Sequence, residues 1–233
     1  MLISKIIPKR IKNTTIYIKF RNLIFKALKK ITWPIKASII RHNKYKEIHN
    51  FEKKYGVDFG GLIKNGRKLG IKKGEGNGYE PCYDMTHLLS KLNITEEDSF
   101  LDIGCGKGWA MYKFSQFPFS KIVGIELNEE LINIAKQNLS KLKPEDKRFV
   151  FLHQNALDFN DYDDFNYIFM YNTFPLEVFT NFYNKLKQSI ERKNRKVYFI
   201  YHNPQCRSIL DNDTLFKKVY HRDNTAVYMN QTN

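Results

Sequence analysis

Residues Ser99–Ala110 read Ser-Phe-Leu-Asp-Ile-Gly-Cys-Gly-Lys-Gly-Trp-Ala. The short apolar run Phe100–Ile103 has the length and composition of a buried strand. Gly104, Gly106 and Gly108 follow at alternate positions, and an apolar-periodic helix begins near Trp109. Strand, glycine turn and helix, in that order, open a nucleotide-binding crevice in a doubly wound parallel sheet. Glycine suits the turn because the backbone bends tightly, often at positive φ, and approaches a ligand with no Cβ in the way. The helix N-terminus then offers unpaired N–H groups and a partial positive charge to an anionic group.

The spacing narrows the choice of nucleotide. A dinucleotide fingerprint reads G-x-G-x-x-G and would put its third glycine where this chain has Trp109. Here the third glycine is Gly108, and an acid precedes the first, giving Asp102-x-Gly104-x-Gly106-x-Gly108. A second apolar run, Lys121–Glu126, ends in a carboxylate that can accept hydrogen bonds from both ribose hydroxyls.

Together these stretches resemble the first motifs of the class I S-adenosylmethionine (SAM)-dependent methyltransferases. The resemblance spans about residues 78–230. It implies a Rossmann-like, seven-stranded, mostly parallel sheet with helices on both faces and a closing antiparallel hairpin. It implies SAM as cofactor and no metal. By the same resemblance Asp102 lies near the methionine amino group, or else helps shape the turn. Gly104, Cys105, Gly106 and Gly108 wrap the methionine and ribose by their backbone, or serve the turn alone. Cys105 is then a small filler and Lys107 a solvated side chain. Glu126 holds the ribose, Leu127 packs on adenine, and Asn155 with Ala156 meets the adenine amino edge, Asp158 being the alternative to Asn155.

On the acceptor side, Tyr171-Asn172-Thr173-Phe174-Pro175 resembles the Asn/Asp-Pro-Pro-aromatic motif of methyltransferases that act on amino groups, with Thr173 and Phe174 in place of both prolines. Asn172, at the carboxyl end of a strand, is the candidate catalytic residue. His202, after the next strand, is a candidate general base or a loop histidine satisfied by its neighbours. Tyr79 and Tyr83 stand where they could close over the cofactor. The function implied is methyl transfer from sulfonium to an O or N nucleophile of a protein, glycan or lipid-linked acceptor. The alternative is a SAM-binding, catalytically degenerate module that docks on an anionic partner or membrane.

Periodicity places the remaining elements. Ile16–Ile31 reads as an amphipathic helix ended by Pro34, and Ala37–Tyr55 as a second helix capped by Gly56. Glu80–Leu92 reads as the helix before the first strand. Trp109–Phe117, a segment capped by Asn128 and running to Leu142, and Leu176–Ile190 read as helices. Phe149–His153, Asn166–Tyr171 and Lys196–Tyr201 read as strands, with Leu215–His221 and Thr225–Asn230 flanking an Asp223-Asn224 turn. The expected organisation is a basic helical extension over 1–56, a glycine-rich linker or lid over 57–78 and a SAM-binding domain over 79–233.

Charge separates the extension from the rest. The chain carries +15, yet residues 1–75 hold 20 Lys/Arg against 4 Asp/Glu, and Glu47 is the first acid. Attachment to something anionic therefore belongs to the N-terminal part. Residues 1–33 can lie on an anionic membrane surface or pack on the main domain with a solvated basic face; a nucleic-acid arm ranks behind both. No run is apolar enough to cross a bilayer, and lysines interrupt any secretory core after Met1. Cys82, Cys105 and Cys206 show neither metal spacing nor a disulfide framework. A cytoplasmic enzyme, peripheral at the inner face of a membrane, is the expectation.

Overall fold

The computed structural model describes residues 15–63, 78–82, 85–222 and 224–231. It divides into two compact units, Met1–His49 and Asn50–Asn233. Residues 64–77, which hold most of the expected glycine-rich linker, lie outside the described residues, as do Tyr83 and Asp223.

Separate helices were expected over Ile16–Ile31 and Ala37–Tyr55; the described residues form a single helix there, α1 (Thr15–Tyr55). Pro34 does not end it. A proline inside a helix removes one hydrogen bond and crowds the preceding turn, but the helical pattern continues in phase on both sides. Ile24, Leu28, Ile31, Ile35 and Ile39 keep three- and four-residue steps straight through the proline. The helix stops at Gly56, whose φ is +65° and whose N–H donates to the Glu52 carbonyl at 2.8 Å.

The second correction concerns Glu80–Leu92. Among the described residues of that stretch only Thr86–Leu89 (α2) is helical. Tyr79 instead pairs with Ile63 in an antiparallel bridge, N–H to carbonyl in both directions at 2.8 and 2.9 Å. Backbone groups committed to that bridge, with Pro81 just beyond it, cannot enter a helix.

The remaining elements follow the expected order: β1 (Ser99–Ile103), α3 (Trp109–Phe114), β2 (Lys121–Glu126), α4 (Glu129–Leu142), β3 (Phe149–His153), β4 (Tyr167–Tyr171), α5 (Leu176–Arg192), β5 (Tyr198–His202), α6 (Arg207–Asp211), β6 (Phe216–Arg222) and β7 (Thr225–Asn230). The sheet order is β3-β2-β1-β4-β5-β7-β6, with β7 antiparallel to both its neighbours. This is the mostly parallel, hairpin-closed sheet that the sequence implied.

Helix α3 is shorter than expected because Arg148 takes over the carbonyls beyond it. Its guanidinium donates to Ser115, Phe117 and Phe119 at 2.9, 2.9 and 3.1 Å. Asn128 caps α4 as read, accepting from the Leu131 N–H at 2.8 Å.

Strand parity fixes what the site contains. Phe179, Phe182, Tyr183, Leu186 and Ile190 of α5 pack with Leu101, Ile103, Ile168, Met170 and Phe199 in one core. On the opposite face Phe100, Phe114, Phe119 and Phe169 form a chain of ring contacts. Asp102 pairs with Phe169 across β1 and β4, and Tyr171 pairs with His202 across β4 and β5. Because side chains alternate along a strand, Asp102, Tyr171 and His202 all rise from that second face. Both central parallel strands β1 and β4 end there, beside each other, which is where open α/β sheets hold ligands.

Candidate active site

The glycine turn is built as β1 ends. Gly104 and Cys105 both donate backbone N–H groups to the Ile125 carbonyl, at 2.8 and 3.0 Å, which ties the turn to β2. Gly104, Gly106 and Gly108 have φ of +75°, +53° and +83°, so each needs the left-handed backbone. The space that a Cβ would need is taken by protein. At Gly104 it would lie 2.5 Å from Thr173 Cγ2, at Gly106 it would overlap the Tyr79 ring, and at Gly108 it would stand 3.1 Å from Ala135 Cβ. Gly108 is the N-cap of α3 and its closeness to Ala135 lets α4 pack in.

Asp102 is buried, and its Oδ2 has no hydrogen-bond partner. Glu126 is buried nearby on β2 and is better served. One of its oxygens accepts the Gly106 N–H at 2.9 Å, the other the Asn128 N–H at 2.9 Å. Burial, and then the neighbouring Glu126 charge, push the Asp102 carboxyl well above the usual carboxylate range. Burial also raises Glu126, while the N–H groups of Asn128, Gly106 and Leu127 pull it back. The Cys105 thiol is pushed well up by burial and by both carboxylates, which keeps it protonated and suits a filler.

Of the predicted cofactor residues, Asp102, Gly104, Cys105, Glu126, Leu127, Asn155 and Ala156 line one cavity, and Asn172 lines it from the acceptor side. Gly106 and Gly108 lie outside that lining, beneath Tyr79 and against Ala135. Leu127 packs with Tyr79 and Leu131. Asn155 Oδ1 accepts from the Leu157 N–H at 2.9 Å, while Asp158 is exposed and away from the cavity. Asn172 sits at φ +40° where β4 ends, an unusual conformation for a residue with a side chain. Thr173, in the place of a motif proline, donates its hydroxyl to the Ile103 carbonyl at 2.8 Å and joins the ends of β4 and β1.

His202 is not part of the lining. It is buried within β5, its Nδ1 2.6 Å from Thr225 Oγ1, with the Tyr171 ring packed edge-on at a centroid distance of 4.5 Å. Tyr171 and Glu80, which the sequence reading did not single out, face the cavity instead, and the Tyr171 hydroxyl donates to Glu80 Oε2 at 3.0 Å. Gln154 and Asn203 complete the polar wall.

A strap covers the turn. Tyr79 lies over Gly106 and donates its hydroxyl to the Phe59 carbonyl at 2.5 Å. Glu52 accepts the N–H groups of Phe59 and Gly60 at 2.7 and 2.5 Å. Asn138 grips Asp58 twice, accepting its N–H at 2.8 Å and donating to its carbonyl at 2.7 Å. Lys107, expected to be solvated, is instead largely covered and donates to Asp58 Oδ1 at 2.5 Å and to the Gly60 carbonyl at 2.9 Å.

A buried acceptor oxygen without a partner, on a wall that also holds a second carboxylate, calls for a cationic donor and for hydroxyls. The ammonium and ribose groups of SAM meet both requirements.

Comparison with known proteins agrees with that chemistry. Residues 94–231 match a family described as a methyltransferase domain. A ribosomal protein L11 methyltransferase of Thermotoga maritima is 27% identical over 66 residues, 28% of this chain and 25% of that protein. A probable cobalt-precorrin-6B C(15)-methyltransferase (decarboxylating) of Methanococcus maripaludis is 38% identical over 92 residues, 38% of this chain and 48% of that one. The chain thus spans a quarter to a half of the length of these curated relatives. A crystal structure of a SAM-dependent methyltransferase from Aquifex aeolicus shares the fold, with a TM-score of 0.50 at 17% identity over 64% of this chain and 90% of that one.

Proposed function

Because this chain belongs to the family of methyltransferase domains, we propose that it moves a methyl group from SAM to a nitrogen or oxygen nucleophile held at Asn172. Its cofactor, SAM, supplies an electrophilic methyl when bound. The protein's own residues then have to bind, orient and manage one proton.

Asp102 would accept from the cofactor's ammonium group and Glu126 from its ribose hydroxyls, with Leu127 and Ala156 as apolar walls for the base. Asn172 would offer its side-chain oxygen to the acceptor, at a position fixed by the Thr173 hydroxyl. Holding two reactants in line can lower a barrier by about 7–11 kcal/mol at its limit. An amine or hydroxyl acceptor also gives up a proton. Glu80, a carboxylate of the cavity wall held by the hydroxyl of Tyr171 beside Asn172, would take it. His202, behind Tyr171, would position that ring rather than touch the acceptor.

One observation carries the reading. The partnerless Asp102 oxygen belongs to the same cavity as Glu126 and Asn172. The curated relatives include one named for ribosomal protein L11 and one named for C(15) of cobalt-precorrin-6B. The polar wall of Asn172, Glu80 and Tyr171 suits nitrogen or oxygen, whose proton needs an acceptor, better than it suits carbon.

The test is calorimetric titration of the full chain with SAM, followed by turnover to S-adenosylhomocysteine with methyl-labelled SAM and fractionated cell extract. Binding by wild type, its loss in Asp102→Asn, and label in one protein, glycan or lipid fraction support the proposal. Stabilisation by nicotinamide cofactors without stabilisation by SAM overturns it, as does SAM binding with no turnover against any fraction.

A further inference from the structure

Five of the nine large apolar side chains exposed among the described residues lie on α1: Leu23, Ile35, Ile39 and Ile40, at 66, 60, 55 and 47%, and Tyr55. Leu23 and Ile40 fall off the line that Ile35 and Ile39 share. Ile35 and Ile39 stand one helical turn apart. By sequence spacing they continue the steps of Ile24, Leu28 and Ile31, a stripe of about 22 Å at 1.5 Å per residue. Arg21 and Lys46 fall on the same line at its two ends, Lys29 and Lys36 fall beside it, and Lys19, Lys26, Lys30 and Arg41 fall opposite. Residues 15–49 hold nine Lys/Arg and one acid, Glu47.

From this pattern we propose that α1 lies flat on an anionic lipid bilayer, its isoleucine stripe in the acyl boundary, Arg21, Lys29, Lys36 and Lys46 among the headgroups and Lys19, Lys26, Lys30 and Arg41 toward water. Three arguments choose this occupant. No described helix is long and apolar enough to cross a membrane, so the helix lies along the surface. A second copy of α1 would bring a like charge against the stripe, which opposes self-pairing. A nucleic-acid phosphate backbone would satisfy the cations but leave branched aliphatic side chains in water. An anionic bilayer satisfies both. The inference is independent of the methyl-transfer reading, since it uses no residue of the cavity.

The experiment is co-sedimentation of the full chain with vesicles of phosphatidylcholine alone and of phosphatidylcholine with phosphatidylglycerol, at low and high salt. Binding is expected to the mixed vesicles only and to weaken with salt as the headgroup charge is screened. Ile35→Asp/Ile39→Asp should bind these vesicles at least about tenfold more weakly, with SAM affinity unchanged. Ile35→Gln/Ile39→Gln, which keeps helix propensity, should lose binding in the same direction, and circular dichroism checks that α1 persists in both. Sedimentation with neither vesicle, equal binding to both, or full binding by the folded double variants overturns the proposal. Tighter binding to polyuridylate than to the mixed vesicles, unchanged in the double variants, also overturns it and identifies α1 as a nucleic-acid arm.

Discussion

The Tyr79 ring occupies the space that a Cβ on Gly106 would need. Gly106 also holds φ at +53° and gives its N–H to Glu126, so a single residue joins the strap, the turn and the second carboxylate. Gly106→Ala therefore carries two costs. The left-handed backbone costs about 1–2 kcal/mol for a residue with a side chain. Displacing Tyr79 breaks its hydrogen bond to Phe59, worth about 1 kcal/mol more. The expected loss in a urea titration is roughly 2–3 kcal/mol, and it should shrink toward the backbone cost alone in a Tyr79→Ala background. A loss that stays the same with and without the ring would show that Tyr79 does not press on this glycine.

Asp102 gives a pH dependence whose sign follows from its environment. Its carboxyl titrates well above the ordinary value because burial and Glu126 oppose ionisation. A folded-state value above the unfolded one means that the added stability is complete below the ordinary carboxylate range and is lost as pH rises through the raised value. Ligand-free Asp102→Asn should therefore be more stable than wild type above the raised value, by about 1–3 kcal/mol, and should keep more of its stability as pH rises from the ordinary carboxylate range through that value. Glu126 leaves a smaller dependence of the same sign. Binding an ammonium needs the ionised carboxylate, so wild-type SAM affinity should rise with pH over the same window, with proton release. Calorimetry in two buffers of different ionisation enthalpy measures that release. A release unchanged in Asp102→Asn would place the titrating group elsewhere.

Asp102 and Glu126 were legible in the sequence because one stands a residue before the end of an apolar strand and the other closes one, and strand ends are marked by short-range pattern. The order of strands and helices was legible for the same reason. What escaped reading depends on partners far along the chain. Lys107 reads as a solvated lysine until Asp58, 49 residues away, comes to meet it. Asn138 reads as one polar position on α4 until it grips the same Asp58 across 80 residues. His202 reads as a general base or as a loop histidine satisfied by its neighbours, and one more residue on β5 sets it beside Thr225 against the Tyr171 ring. The unbroken α1 runs against the local rule that proline ends a helix, because the apolar stripe stays in phase on both sides of Pro34.

The strap supplies a contrast between two neighbouring bonds. Asn138 is buried, and its side chain serves the Asp58 N–H, the Asp58 carbonyl and the Lys107 carbonyl. Asn138→Ala leaves backbone groups unpaired and should cost about 2–3 kcal/mol, with faster proteolytic cleavage within residues 57–63. Asp58→Asn touches an ion pair whose acid is 58% exposed, and Lys107 keeps its bond to Gly60. Its cost should stay under about 1 kcal/mol. Equal costs in the two variants would mean that the ion pair, and not the amide, holds the strap.

The acceptor side separates a proton acceptor from its support. If Glu80 takes the proton, Glu80→Gln keeps the shape of the wall and the bond from Tyr171 but cannot accept, so kcat should fall by about 10²–10⁴-fold with little change in KM for SAM. Tyr171→Phe removes only the hydroxyl that holds Glu80 at 3.0 Å. It should lower kcat by less than about tenfold and leave the pH profile in place, since a positioning group changes geometry and not the titrating site. His202→Asn should resemble Tyr171→Phe, because the His202 ring packs edge-on against Tyr171 and does not line the cavity. With an acceptor fraction in hand, the three profiles of kcat against pH decide the assignment. A profile that survives Glu80→Gln and vanishes in His202→Asn would return the proton to the histidine.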